Sequence, residues 1–167
     1  EAKYTHNNHD KSPIVLILHP DPVRGGTMNT KIIFRLYKIF INNGFSTIRF
    51  NFRGVGKSDG VHDDGEGELS DATSVLDWLQ QYNTNSKTCW VAGFSFGAWV
   101  SMQLLMRRPE INGFVSVSPP ANLRDFSFLA PCPSSGLIIH GDRDNIASFD
   151  STKILTEKLQ KQKKVDI

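Results

Sequence analysis

The stretch Thr88-Cys89-Trp90-Val91-Ala92-Gly93-Phe94-Ser95-Phe96-Gly97-Ala98-Trp99 constrains this chain more than any other. An apolar, β-prone run from Thr88 to Ala92 drives into Gly93-x-Ser95-x-Gly97, and a helical stretch follows at once. A serine on a sharp strand-to-helix turn needs minimal neighbours two residues to either side, because the turn crowds their Cβ positions. Gly93 and Gly97 meet that demand, and Ala92 and Ala98 keep the next positions small. Such a turn lifts Ser95 clear of a sheet and aims the first free N–H groups of the helix at whatever its hydroxyl attacks. Ser95 is therefore the candidate nucleophile. The plainer alternative is a glycine-flanked serine that only packs a tight turn.

The rest of the chain supplies the setting for such a turn. Ile14 to Leu18 is apolar without alternation, which marks a strand covered on both faces, as in a parallel sheet. It ends in His19-Pro20-Asp21-Pro22-Val23-Arg24-Gly25-Gly26, a stretch that cannot be helix. Asn29 or Thr30 then caps a helix with Ile32, Leu36, Ile39 and Phe40 on one face, stopped at Gly44. Thr47 to Phe50 reads as a strand, Asn51 to Gly67 as a long glycine-studded loop, and Leu69, Ala72, Leu76 and Leu79 as a helical stripe. The helix from Phe96 to Arg108 is apolar nearly all round and is expected to be the most buried, with Arg107-Arg108-Pro109 ending it. Phe114 to Ser118 and Leu137 to His140 are further strands, Ser148 to about Gln162 a charged surface helix, and Val165 onward a strand beginning. Glu1 to Tyr4 reads as the tail of an edge strand. Strands alternating with helices predict a single doubly wound α/β domain over residues 1–167, with chemistry at the carboxyl ends of the strands.

Composition narrows the partners. The formal net charge of +2 implies neither nucleic acid nor an anionic membrane surface. No apolar run approaches the length of a membrane span, so a cytoplasmic protein is expected. The two cysteines, Cys89 and Cys132, read as reduced and structural. Gly54-Val55-Gly56-Lys57-Ser58 mimics the end of a phosphate-binding loop, but Asn51 stands where that motif needs glycine, and Asp59-Gly60 breaks the required helix. The acids Asp59, Asp63, Asp64, Glu66 and Glu68 lack calcium-loop spacing and read as a solvated turn-rich loop. No metal and no cofactor are expected.

A serine hydroxyl needs a base, and the base needs an orienting carboxylate. Gly141-Asp142-Arg143-Asp144-Asn145 places two carboxylates at a strand's carboxyl end. Asp144 is the candidate triad acid, Asp142 the turn-former. No histidine follows Asp144; His6, His9, His19, His62 and His140 all precede it. His19 and His140 read as structural histidines at strand ends, His62 as a weaker candidate in a loop. The N–H of Phe96 and that of Asp21, flanked by two prolines that have none, are the candidate oxyanion donors.

Ile17-Leu18-His19-Pro20, Gly25-Gly26-Thr27, Asn51-Phe52-Arg53-Gly54-x-Gly56-x-Ser58-x-Gly60, Gly93-Phe94-Ser95-Phe96-Gly97 and His140-Gly141-Asp142-x-Asp144 together resemble the α/β-hydrolase superfamily. The likeness is to its small bacterial branch, grouped with predicted hydrolases and serine aminopeptidase-like proteins. The resemblance implies an eight-stranded sheet with a leading antiparallel strand, and a Ser–Asp–His triad whose first two members fall on Ser95 and Asp144. It also implies a strand before Glu1, a last strand and the catalytic histidine after Ile167, and a loop-tying role for Arg53. The short, proline-rich Pro119 to Ser135 stretch stands where such hydrolases carry a lid, and predicts an open site with little acyl-pocket depth. The expected function is acyl transfer from an ester, thioester or amide of a small molecule or peptide. The alternative is the same scaffold used for binding without turnover.

Overall fold

In the computed structural model, which describes residues 1–129, 131–161 and 163–167, the apolar run Ile14–Leu18 is fully covered strand β2. Ile14, Leu16 and Leu18 enter one apolar cluster, while Val15 and Ile17 enter another on the opposite face. The period of two thus divides the core into two layers. Strands β1 (Ala2–Thr5), β3 (Ser46–Phe50), β4 (Cys89–Phe94), β5 (Ile111–Val117), β6 (Gly136–Ile139) and β7 (Val165–Asp166) complete a seven-stranded sheet ordered β1-β3-β2-β4-β5-β6-β7. Edge strand β1 pairs antiparallel with β3, and every other pairing is parallel. The edge strand expected at Glu1 to Tyr4 is present as β1, and the described residues form seven strands.

Helix α1 (Lys31–Asn42) covers one face of the sheet, packing Ile33, Leu36, Tyr37 and Phe40 against Val15, Ile17, Ala92, Val115 and Val117. This corrects the expected face: Leu36 and Phe40 point inward as read, but Ile39 is 55% exposed, and Ile33 and Tyr37 take the inner positions. Both sets fit helical spacing. Tyr37 settles the rotation, since its ring packs inward while its hydroxyl meets Thr5 Oγ1 at 2.6 Å. The other face carries α2 (Glu66–Tyr82), α3 (Phe96–Arg107) and the inner side of α4 (Phe149–Gln160). Eight of the twelve residues of α3 are buried, so it is the deeply set helix its composition announces. The residues between Asn51 and Gly65 form turns with no helix after Ser58, so the Gly-Lys-Ser sequence there builds no phosphate-binding helix. One acid of that region is not solvated: Glu68 is fully buried and accepts the N–H groups of Asp63 and Gly65 and the His62 ring nitrogen. Arg53 clasps Asp71 through Nε and Nη2 and so ties its loop to helix α2, where the expectation was a tie between neighbouring loops. Among the described residues no helix is long and apolar enough to cross a membrane.

Candidate active site

Strand β4 delivers the chain to Ser95 with φ 53° and ψ −117°, a left-handed conformation for a residue with a Cβ. Such strain costs about 1–3 kcal/mol and persists only where the surroundings impose it. They do so through backbone. The Ser95 N–H is bonded to the Val117 carbonyl of β5 at 2.9 Å, and α3 starts at the next residue. A Cβ on Gly93 would overlap the Gly97 carbonyl, and a Cβ on Gly97 would overlap the Leu18 and His19 carbonyls of the neighbouring strand. The glycines are therefore required by close approach of α3 to β4 and β2.

Ser95 opens into a cleft of about 560 Å³ at the carboxyl rim of the sheet, bordered also by Pro20, Asp21, Phe96, Leu123 and Arg124. Phe96 and Asp21, the residues expected to supply the oxyanion donors, both border this cleft. Among the described residues neither the Phe96 N–H nor the Asp21 N–H has an internal acceptor. The Asp21 loop is braced: its carboxylate accepts the Val23 N–H at 2.9 Å, and its carbonyl accepts the N–H groups of Arg24 and Gly26.

Asp144 sits in the loop after β6, on the same rim, with Ile146 of that loop reaching the cleft. Its Oδ1 accepts the Ile146 and Ala147 N–H groups at 2.9 and 3.0 Å, and the nearby Ser118 hydroxyl further favours the charged carboxylate. Burial works against its charge, but these bonds outweigh it and hold the carboxyl below the usual range. Ser118 was not singled out by sequence. Its signal is structural: it follows β5 directly at φ 43°, and its N–H donates to the Ile139 carbonyl.

None of the five histidines lines the cleft. His19 is fully buried, with Nδ1 against the Pro20 carbonyl at 2.7 Å and Nε2 accepting the Phe52 N–H at 3.0 Å. Desolvation pushes its pKa down to about 4, so it is a neutral structural bridge. His140 closes its loop through Nε2 onto the Ala147 carbonyl, and His62 is held by Glu68. His6 lies against Tyr4 and Tyr82, away from Ser95. Cys89 and Cys132 are both buried, and burial pushes the Cys89 thiol up to about 12. No group of three or more His, Cys, Asp or Glu among the described residues is arranged to hold a metal.

The Pro119–Ser135 stretch packs Phe126 and Leu129 into the core instead of over Ser95. A second cleft of about 570 Å³ runs between this stretch and α4, floored by Phe126, Leu129, Leu155 and Leu159. Ser95 itself is half-buried and borders the first cleft.

The family model of X-Pro dipeptidyl-peptidase (S15 family) matches residues 2–164. An uncharacterised protein of Rickettsia prowazekii is 51% identical over 165 residues, spanning 97% of this chain and 69% of that protein. The crystal structure of a protein of unknown function from Agrobacterium tumefaciens superimposes with a TM-score of 0.95 at 54% identity, covering 99% of this chain and 78% of that one. A Xanthomonas campestris structure, described as a serine α/β hydrolase without a lid, gives 0.85 at 31% identity over 99% of this chain and 76% of its own. With its parallel sheet and its serine on the turn after β4, the chain is an α/β hydrolase and belongs to the X-Pro dipeptidyl-peptidase (S15) family.

Proposed function

We propose that the protein hydrolyses an ester, thioester or amide by acyl transfer through Ser95. The observation that carries this reading is the strained Ser95 beside two unspent N–H donors, Phe96 and Asp21, in one open cleft. Ser95 Oγ attacks the acyl carbon, and the carbonyl oxygen moves toward those donors as it gains charge. Asp144, kept ionised by the Ile146 and Ala147 N–H groups, orients a histidine and stabilises it while it holds the serine's proton. That histidine is proposed to follow β7. Strand β7 runs parallel to β6, so residues after it emerge on the rim that carries Asp144. The histidine then passes the proton to the leaving group, and water repeats the sequence to release the acid. The lidless rim and the similarity to a lidless serine hydrolase support a small or peptide-like substrate approached from solvent.

The test is labelling of the complete protein with a fluorophosphonate, followed by peptide mapping. A single adduct on Ser95, absent in Ser95→Ala together with p-nitrophenyl acetate turnover, is the expected result. Turnover unchanged by Ser95→Ala would reassign the nucleophile. No adduct on the complete protein would favour a binding scaffold.

A further inference from the structure

The Arg124 side chain, 27% exposed, borders the Ser95 cleft. It lies over two rings at the mouth of the Ser95 cleft, 5.5 Å from the centre of Phe96 and 4.8 Å from that of Trp99. Phe96 is also the residue proposed above to give its N–H to the oxyanion. Arg124 borders the Ser95 cleft and the second, apolar cleft alike, so it stands on the ridge between them. Its Nη2 meets Asp64 Oδ1 at 2.5 Å, while Nε and Nη1 have no acceptor among the described residues. The two partners differ in setting: the Arg124 side chain is 27% exposed and that of Asp64 71%. A pair with one member so solvated is weak and easily exchanged. The other carboxylate bordering the cleft, Asp21, is turned into its own loop onto the Val23 N–H. Arg24, exposed on the opposite border, has no ion-pair partner among the described residues.

Resting on the serine-hydrolase reading, we propose that the cleft selects acyl compounds carrying an anionic group, carboxylate or phosphate, which Arg124 binds in exchange for Asp64. A guanidinium lying over rings is partly stripped of water, and once Asp64 releases Nη2 its Nε and Nη2 donors can grip an anion side-on. Asp64 serves as the resident competitor, keeping Arg124 in position when the cleft is empty.

The test compares kcat/KM of matched esters on the complete protein. One pair places the anion on the acyl side: mono-p-nitrophenyl succinate against p-nitrophenyl butyrate. The other places it on the leaving group: 4-acetoxybenzoate against its methyl ester. The readout is the anionic-to-neutral ratio within each pair. Arg124→Gln should lower that ratio about tenfold in at least one pair, and the affected pair tells which side of the scissile bond Arg124 reads. Arg124→Lys should retain part of the preference, and Asp64→Asn should raise it, because the competitor loses its charge. Raising salt should reduce the preference of the unaltered protein. A ratio unmoved in both pairs by Arg124→Gln, with Asp64→Asn also silent, overturns the proposal and leaves Arg124–Asp64 as a structural clasp. Neutral-ester hydrolysis that survives Ser95→Ala is a different failure, of the nucleophile assignment, and takes this proposal with it.

Discussion

Acid should weaken this fold through His19, and by an amount the structure fixes. The imidazole is fully buried and uses Nε2 as an acceptor for the Phe52 N–H, which only the neutral ring can do. Desolvation lowers its pKa from 6.5 to about 4. Between those values the unfolded chain binds a proton that the folded chain refuses, so stability rises with pH across that window. The contribution is fully present above about pH 6.5 and lost as pH falls toward 4. A shift of this size amounts to about 2 kcal/mol lost by pH 5 and about 3 kcal/mol by pH 4. Urea unfolding at pH 7, 6, 5 and 4 measures it, and His19→Gln isolates it, because the amide oxygen can accept the same N–H without titrating. The variant starts less stable at pH 7 if its fit is imperfect, yet its decline toward pH 4 should be shallower by about 3 kcal/mol. Parallel declines in the two proteins would refute the reasoning. So would an imidazole NMR titration placing the His19 midpoint near 6.5.

Three substitutions around the nucleophile separate its packing from its chemistry. Ser95→Gly should raise stability by about 1 kcal/mol by relieving the left-handed strain, while abolishing turnover; thermal unfolding and a p-nitrophenyl acetate assay report the two effects separately. Gly97→Ala should cost about 3 kcal/mol, since its Cβ meets main-chain carbonyls of Leu18 and His19 that no rotamer change can clear; an unchanged unfolding midpoint would contradict the close-approach account. Ser118→Ala removes a hydroxyl that favours the Asp144 charge and should lower kcat about three- to tenfold with KM little changed; a KM effect alone would mean that Ser118 touches substrate instead.

What could be read from sequence was whatever local chemistry dictates. Ile14–Leu18 announces a strand covered on both faces because five apolar residues in a row leave no face for water. Gly93 and Gly97 announce the turn because only glycine fits where helix and strand backbones touch. Helix α1 shows where such reading stops. Two overlapping stripes satisfied helical spacing, and a contact from Tyr37 to Thr5 in a distant strand selected between them. Glu68 likewise looked like one more acid in a solvated loop, and is buried because three donors from its own preceding turn converge on it. Arg124 and Asp64 lie 60 residues apart, with nothing local at either position to foretell the pairing. The support that Ser118 gives Asp144 is of the same kind, a meeting of two strand ends.

The contact of Gly97 with the β2 carbonyls has a further consequence for how the molecule opens. Loops on a sheet rim ordinarily fray on their own, exchanging amide protons through small local excursions. The elbow cannot, because α3 touches β2 backbone to backbone and the Ser95 amide is tied to β5. Freeing that amide requires the central strands to part. Ser95 should therefore be among the slowest-exchanging amides of the chain, with a protection factor set by the global unfolding equilibrium.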